Sequence, residues 1–274
     1  MNKIFEIIKR SGNKDIFIDI TYKETLLNKK IVIFCHGFKG FKDWGCFNLV
    51  ADSFADNDFV FIKFNFSHNG TNSTDMLNFV DLDAFGNNNF SKELDDLGCV
   101  IDWVFNSNMF NNLDITLIGH SRGGGISMLK TREDDRIDKV ITWASPSNFM
   151  KSIDQDKVNI WKEKGVAYVY NSRTQQNMPI FIQFYQDCIE NSSRINIQKA
   201  VSNIRIPQLI IHGDKDPTVS LDQALDLKKW NKTSELYIVK DADHVFGATH
   251  PYKGKLLPKH FNDIINRSIS FINL

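Results

Sequence analysis

The feature that most restricts the fold is a series of short, almost uninterrupted apolar runs. Residues 31–35 read Ile-Val-Ile-Phe-Cys, and similar β-branched or aromatic runs occupy 59–64, 115–118, 140–143, 208–211 and 236–239. A strand with one wet face alternates polar and apolar residues, whereas a run without alternation needs cover on both faces, as in a parallel sheet. Amphipathic stretches separate most of these runs. The clearest is 92–105, where Leu94, Leu97, Ile101, Val104 and Phe105 recur at helical spacing. Strands alternating with helices predict an α/β protein whose mostly parallel sheet carries helices on both faces. Two earlier runs, 4–8 and 16–22, are split by Ser11-Gly12-Asn13 and predict an N-terminal hairpin, which makes the expected sheet eight-stranded.

Two segments break the rhythm. Between 147 and 202 no clean strand-helix alternation is visible, yet Phe149, Trp161, Tyr168, Tyr170, Phe181, Phe184 and Tyr185 crowd the stretch. A structureless loop of that length is unusual. The expected organisation is therefore a core domain built from 1–146 and 203–274, with 147–202 as an inserted, partly helical cap. The other segment, 66–89, is polar and Asn-rich and reads as a long surface loop near the same edge.

Composition removes several functional classes. Lys plus Arg and Asp plus Glu number 33 each, so the basic excess of a nucleic-acid binder is absent. No apolar run approaches the roughly 20 residues that span a bilayer. Glu6 and the pair Lys9-Arg10 cut the N-terminal apolar stretch short of a signal-peptide core. The four cysteines, Cys35, Cys46, Cys99 and Cys188, lack metal-type or redox-motif spacing. A reduced, cytoplasmic protein without metal or cofactor is the expectation, as a monomer or a homodimer. No Walker or dinucleotide fingerprint occurs among the glycines.

The strand-like run 115–118 leads directly into Gly119-His120-Ser121-Arg122-Gly123, and a glycine-rich helix start follows. G-x-S-x-G between strand and helix is the pattern of a nucleophile elbow, in which a sharp turn lifts the serine hydroxyl clear of the backbone. The competing reading is a tight turn whose serine caps a helix. Partners decide between them, because a serine hydroxyl needs a base and the base needs an orienting carboxylate. In this arrangement the order along the chain is Ser, acid, His. The run 208–211 enters His212-Gly213-Asp214-Lys215-Asp216-Pro217, and 236–239 enters Lys240-Asp241-Ala242-Asp243-His244. Polar groups thus stand just beyond two strand ends, where α/β sheets build their sites. His244 is the expected general base; the acid is Asp214 or Asp216. His250 is placed beside the pocket and His260 in a final helix.

These residues resemble the α/β-hydrolase superfamily, in the branch of small serine esterases that includes cinnamoyl and feruloyl esterases and dienelactone-hydrolase-like proteins. The likeness runs from about Ile31 to the C-terminus and rests on His36-Gly37-Phe38, the elbow, His212-Gly213-Asp214-Lys215-Asp216, and Asp243-His244. It implies the α/β-hydrolase fold and a catalytic set of Ser121, Asp216 and His244, since the family's acid matches the second aspartate of the H-G-x-x-D run. It also implies an oxyanion hole made by the backbone N–H groups of Arg122 and Phe38.

The activity so implied is hydrolysis of carboxylic esters through an acyl-enzyme, with a small-molecule ester as partner. Gly37, His120 and Tyr185 are the residues expected to touch the substrate. For His120 the competing reading is packing against a neighbouring strand. The aromatic segment 147–202 suggests an apolar or aromatic acyl group, unless those rings form a core of their own. A thioesterase, a peptidase-like enzyme or a carbon–carbon bond hydrolase shares the same machinery. A non-catalytic receptor is the reading from outside the enzymes.

Overall fold

The computed structural model describes residues 1–274 apart from Asn28 and Asn112, with Ser152 described by its backbone. In chain order the first half comprises β1 (Asn2–Ile8), β2 (Ile16–Tyr22), β3 (Ile31–Cys35), α1 (Phe47–Asp56), β4 (Val60–Phe64), α2 (Leu82–Gly86), α3 (Phe90–Asn106), β5 (Ile115–His120), α4 (Arg122–Lys130) and β6 (Lys139–Trp143). A short 3-10 turn at Phe149–Ser152 opens the second half. There follow α5 (Gln155–Lys164), β7 (Val166–Asn171), β8 (Gln176–Phe181), α6 (Gln183–Glu190), α7 (Ile197–Val201), β9 (Gln208–Gly213), α8 (Leu221–Trp230), β10 (Glu235–Val239) and α9 (Lys259–Ile272).

Among the described residues the main sheet has eight strands in the order β1-β2-β4-β3-β5-β6-β9-β10. The β1–β2 hairpin and its junction with β4 are antiparallel, and every pairing from β4 to β10 is parallel. The unalternating runs have the expected cause. In β3, Ile31, Ile33 and Cys35 enter one core with residues of α3, α4 and α8, while Val32 and Phe34 enter a second core with α1 and α9. Each such side chain is fully shielded, and burying one aliphatic of this size contributes about 1.5–3 kcal/mol. Charge on this stretch would leave a cation or anion without water on either face. Lys63 of β4 is the exception that obeys the rule, being ion-paired to both Asp19 and Asp43.

The irregular segments depart from expectation. Residues 147–202 contain strands as well as helices: β7 and β8 pair antiparallel as a separate two-stranded sheet. Trp161, Phe184 and Tyr185 pack together, Trp161 stacking on Tyr185 at 5.9 Å. They join the same core as α3 and α4. The stretch 66–89 is a surface loop only in its middle, where Ser73, Thr74, Leu77, Asn78 and Val80 are exposed; its two ends are buried. Phe66, Ser67, His68, Asn69, Thr71 and Phe79 are buried, and α2 lies within it. Its polar residues serve its own backbone and neighbours: Asp96 accepts the Ser67 N–H at 2.7 Å, and Asn69 accepts that of Thr71 at 3.0 Å. At the buried ends polarity signals turn chemistry inside the protein, and in the middle it accompanies exposure. No helix among the described residues is long and apolar enough to cross a membrane.

Candidate active site

Ser121 stands between the end of β5 and the start of α4, with φ 54° and ψ −124°. A non-glycine residue in that region costs about 1–3 kcal/mol and persists only where its surroundings enforce it. Here the Ser121 N–H donates to Trp143 O at 2.8 Å, and Ser121 O accepts the Gly124 N–H at 2.9 Å. The flanking glycines are required by contact. A Cβ on Gly119 would lie 2.2 Å from Gly123 O, and one on Gly123 would lie 2.2 Å from Cys35 O. Helix α4 therefore starts at backbone contact with β5 and β3, and the serine has no other way to turn than outward.

The two later strand ends bring their polar groups to the same point. His244, in the loop after β10, holds Nε2 3.0 Å from Ser121 Oγ and Nδ1 2.7 Å from Asp216 Oδ2. The Asp216 side chain is shielded from solvent. Its other oxygen accepts the N–H groups of Thr218 and Val219, both at 2.8 Å. Burial works against charge on Asp216, but the hydrogen bonds from the His212 and His244 sides outweigh it and hold the carboxyl well below the usual range. An ionised carboxylate can only accept, so His244 carries its proton on Nδ1 and offers Nε2 as acceptor to the serine hydroxyl. Asp214 takes the other role: its Oδ1 accepts the Asp241 N–H at 2.6 Å and ties the two loops together.

Two histidines support this set without joining it. His212 is fully buried; its Nε2 donates to Val219 O at 2.8 Å and lies 3.4 Å from Asp216 Oδ2, bracing the turn that carries Asp216. His120 donates from Nε2 to the backbone carbonyl of His244 at 2.9 Å. Burial, with His244 close by, pushes His120 down to about 3, so the ring stays neutral. Beside lining the cavity at Ser121, His120 thus anchors the loop that carries His244, which its place in the sequence gave no sign of.

The loop after β3 is fixed independently. The Gly40 N–H closes a tight turn onto Gly37 O at 3.1 Å, with Lys39 at φ 55°. His36 bridges from Gly37 O at 2.9 Å to the Phe66 N–H at 3.3 Å, and burial lowers it to about 4. The Arg122 guanidinium carbon lies 4.0 Å from the Phe38 ring centre and 5.0 Å from that of Phe90. It also donates to Glu93 at 3.3 Å. The side chains of Phe38 and Arg122 are therefore stacked on each other, locking the two backbone segments expected to hold an oxyanion.

Ser121 opens onto two cavities that share Phe38, Lys39, Ser121 and His244. One, of about 390 Å³, is walled by Gly37, Trp44, Phe47, His120, Asn171, Arg173 and His250. The other, of about 630 Å³, is walled by Phe90, Arg122, Phe149, Val169, Val219 and Gln223. Tyr185 lines neither, because its ring is committed to Trp161, and the other aromatics from Trp161 to Phe184 named from sequence are likewise absent from both walls. Rings from α1, α3 and the loop after β3 take their place. His260 does lie in α9. Among the described residues no cluster of three or more His, Cys, Asp or Glu could hold a metal ion.

Sheet order, elbow and the polar groups beyond β9 and β10 define an α/β-hydrolase fold. Solved structures agree. The chain superimposes on Est1E from Butyrivibrio proteoclasticus bound to ferulic acid with a TM-score of 0.76, at 17% identity over 98% of each chain. It superimposes on mouse alpha/beta hydrolase domain-containing protein 10 with a TM-score of 0.70, at 16% identity and 98% of each chain. Dienelactone hydrolase from Anabaena variabilis gives 0.64 at 12% identity, over 99% of this chain and 97% of the other. No curated protein sequence matches. The BD-FAE family profile matches residues 18–231, and the chain belongs to that family.

Proposed function

We propose that this protein is a serine hydrolase that cleaves small carboxylic esters through an acyl-enzyme. The observation that carries the reading is the relay from Ser121 Oγ through His244 to Asp216, at 3.0 and 2.7 Å. Ser121 Oγ attacks the ester carbonyl while His244 Nε2 takes its proton. Asp216 keeps the imidazole in the useful tautomer and stabilises it when charged. The N–H groups of Arg122 and Phe38 receive the developing oxyanion, each such donor contributing about 3 kcal/mol. His244 returns its proton to the leaving alcohol, then activates water to release the acid. Residues 147–202 act as a cap, since Val169, Asn171 and Arg173 supply cavity wall opposite the sheet's own loops.

The acyl group is apolar or aromatic in this reading. Phe90, Phe149 and Val219 offer an apolar wall beside the serine, and the neighbour Est1E is a protein bound to ferulic acid. The test is labelling by a fluorophosphonate probe, paired with kinetics on a panel of aryl, cinnamoyl, thioester and amide substrates. Wild-type protein is expected to label and to prefer esters. Ser121→Ala is expected to lose both labelling and turnover while keeping its melting temperature within a few degrees. A folded wild-type protein that neither labels nor turns over any of the panel would make this a binding protein, and the proposal would fall.

A further inference from the structure

The 390 Å³ cavity beside Ser121 is walled by two cations, Lys39 and Arg173, that have no anion to balance them. Arg173 sits in the turn between β7 and β8. Its guanidinium carbon is 5.6 Å from the Phe41 ring centre and 5.5 Å from that of Phe79. Two rings grip the cation, yet its Nη2 is sealed from solvent and has no hydrogen-bond partner. Lys39 is half-buried and donates to Tyr170 O at a long 3.4 Å. Among the described residues neither cation forms an ion pair, in a chain whose Asp43, close to the same wall, is already taken by Lys42 and Lys63. Burial pushes both Lys39 and Arg173 below their ordinary values.

His250, on the same wall, adds a donor as well. His250 Nδ1 accepts the Gly45 N–H at 2.8 Å, and burial together with Arg173 keeps the ring neutral. Its remaining proton is therefore on Nε2. A partly desolvated guanidinium with an unmet N–H is costly. A carboxylate in the cavity would meet the part of the Arg173 cation that lines it, next to Lys39, and its two oxygens match the planar fork of an arginine.

We propose that Arg173 and Lys39 form a carboxylate subsite, and that the ester cleaved at Ser121 carries a free carboxylate lodged in this cavity. The inference rests on the hydrolase reading above and names the substrate class for the same site. The acid group belongs to the acyl half or to the alcohol half of the ester, and the assay has one arm for each. The first arm compares p-nitrophenyl hemiglutarate with p-nitrophenyl valerate. The second compares p-carboxyphenyl valerate with phenyl valerate.

In wild-type protein one anionic ester is expected to exceed its neutral match in kcat/KM by about tenfold to a hundredfold, the range of a charge-assisted hydrogen bond. Arg173→Gln is expected to bring that ratio to within about twofold of unity, and Arg173→Lys to restore part of it. Should Arg173→Gln fail to fold by its melting curve, Lys39→Gln must lower the ratio instead. Ratios near or below unity in both wild-type arms overturn the proposal, as does a ratio unchanged in a folded variant. If wild-type protein cleaves none of the esters, the hydrolase reading fails, and calorimetric titration with glutarate and with p-hydroxybenzoate reads the subsite alone. Binding that Arg173→Gln abolishes upholds it, and absence of binding sinks it.

Discussion

Replacing Asp216 by Asn separates the two carboxylates of the β9 turn. In the native turn Oδ1 of Asp216 accepts two backbone N–H groups at 2.8 Å, so an asparagine must place its carbonyl oxygen there. Its amide NH2 is then left facing His244 Nδ1, where Asp216 Oδ2 stood at 2.7 Å. A donor facing Nδ1 forces the imidazole proton onto Nε2, which can no longer accept from Ser121 at 3.0 Å. The tautomer is wrong although every atom is nearly in place. In serine proteases the same replacement of the triad aspartate costs about 10⁴ in kcat, or about 5 kcal/mol of transition-state stabilisation. We expect Asp216→Asn to lose about a thousandfold to ten-thousandfold in kcat on a p-nitrophenyl ester, with KM little changed. Asp214→Asn, which alters only the acceptor for the Asp241 N–H, is expected to keep kcat within about threefold. Equal losses in the two variants, or more than a tenth of wild-type kcat in Asp216→Asn, would refute the reasoning.

The same carboxyl makes stability pH-dependent. Asp216 is lowered in the folded state, so its contribution is complete above its unfolded value near about 4 and fades as the pH falls below that; urea titrations should show the gap between wild type and Asp216→Asn narrowing below about pH 4. His120 and His36, pushed down to about 3 and about 4 by burial, stay neutral; His120→Asn should therefore lower kcat by loosening the His244 loop without changing the shape of the pH profile of kcat/KM. Glu93→Gln should shift urea unfolding by no more than about 1 kcal/mol, because burial, which pushes the Glu93 carboxyl up, offsets its bond to Arg122. Its kcat should fall more than its KM rises if stacked Arg122 and Phe38 position the oxyanion donors. Gly123→Ala should unfold or fail to express, since a Cβ 2.2 Å from Cys35 O must push α4 off the sheet; overpacking of this kind costs about 1–3 kcal/mol or more.

The sheet was legible from sequence because its cause is local. Runs such as 31–35 need cover on both faces, and each fell in a strand of the main sheet; the edge run 236–239 is only partly covered, with Ile238 exposed. The elbow was legible for a similar reason: Gly119 and Gly123 are dictated by backbone contacts within one turn. The order Ser121, Asp216, His244 followed from chain topology, but the choice between Asp214 and Asp216 was not local. It is made by which carboxyl meets the Thr218 and Val219 N–H groups and which meets Asp241.

The cavity walls were not legible, and the reason is physical. A dense set of aromatics between 147 and 202 is equally good material for a pocket or for a small core, and periodicity does not distinguish them. Here Trp161 spends its N–H on Ile180 O at 2.8 Å and its faces on Phe184 and Tyr185, so these three rings pack on one another, while Phe149 lines the larger cavity and Tyr168 and Tyr170 are exposed. What that core supports is a hairpin, and the hairpin carries Asn171 and Arg173 to the serine. An apolar pocket lined by those aromatics would have selected for size and shape alone. A cavity whose hairpin wall is polar and charged selects for a substrate's charge as well, and the comparison of matched acidic and neutral esters measures which of the two this wall does.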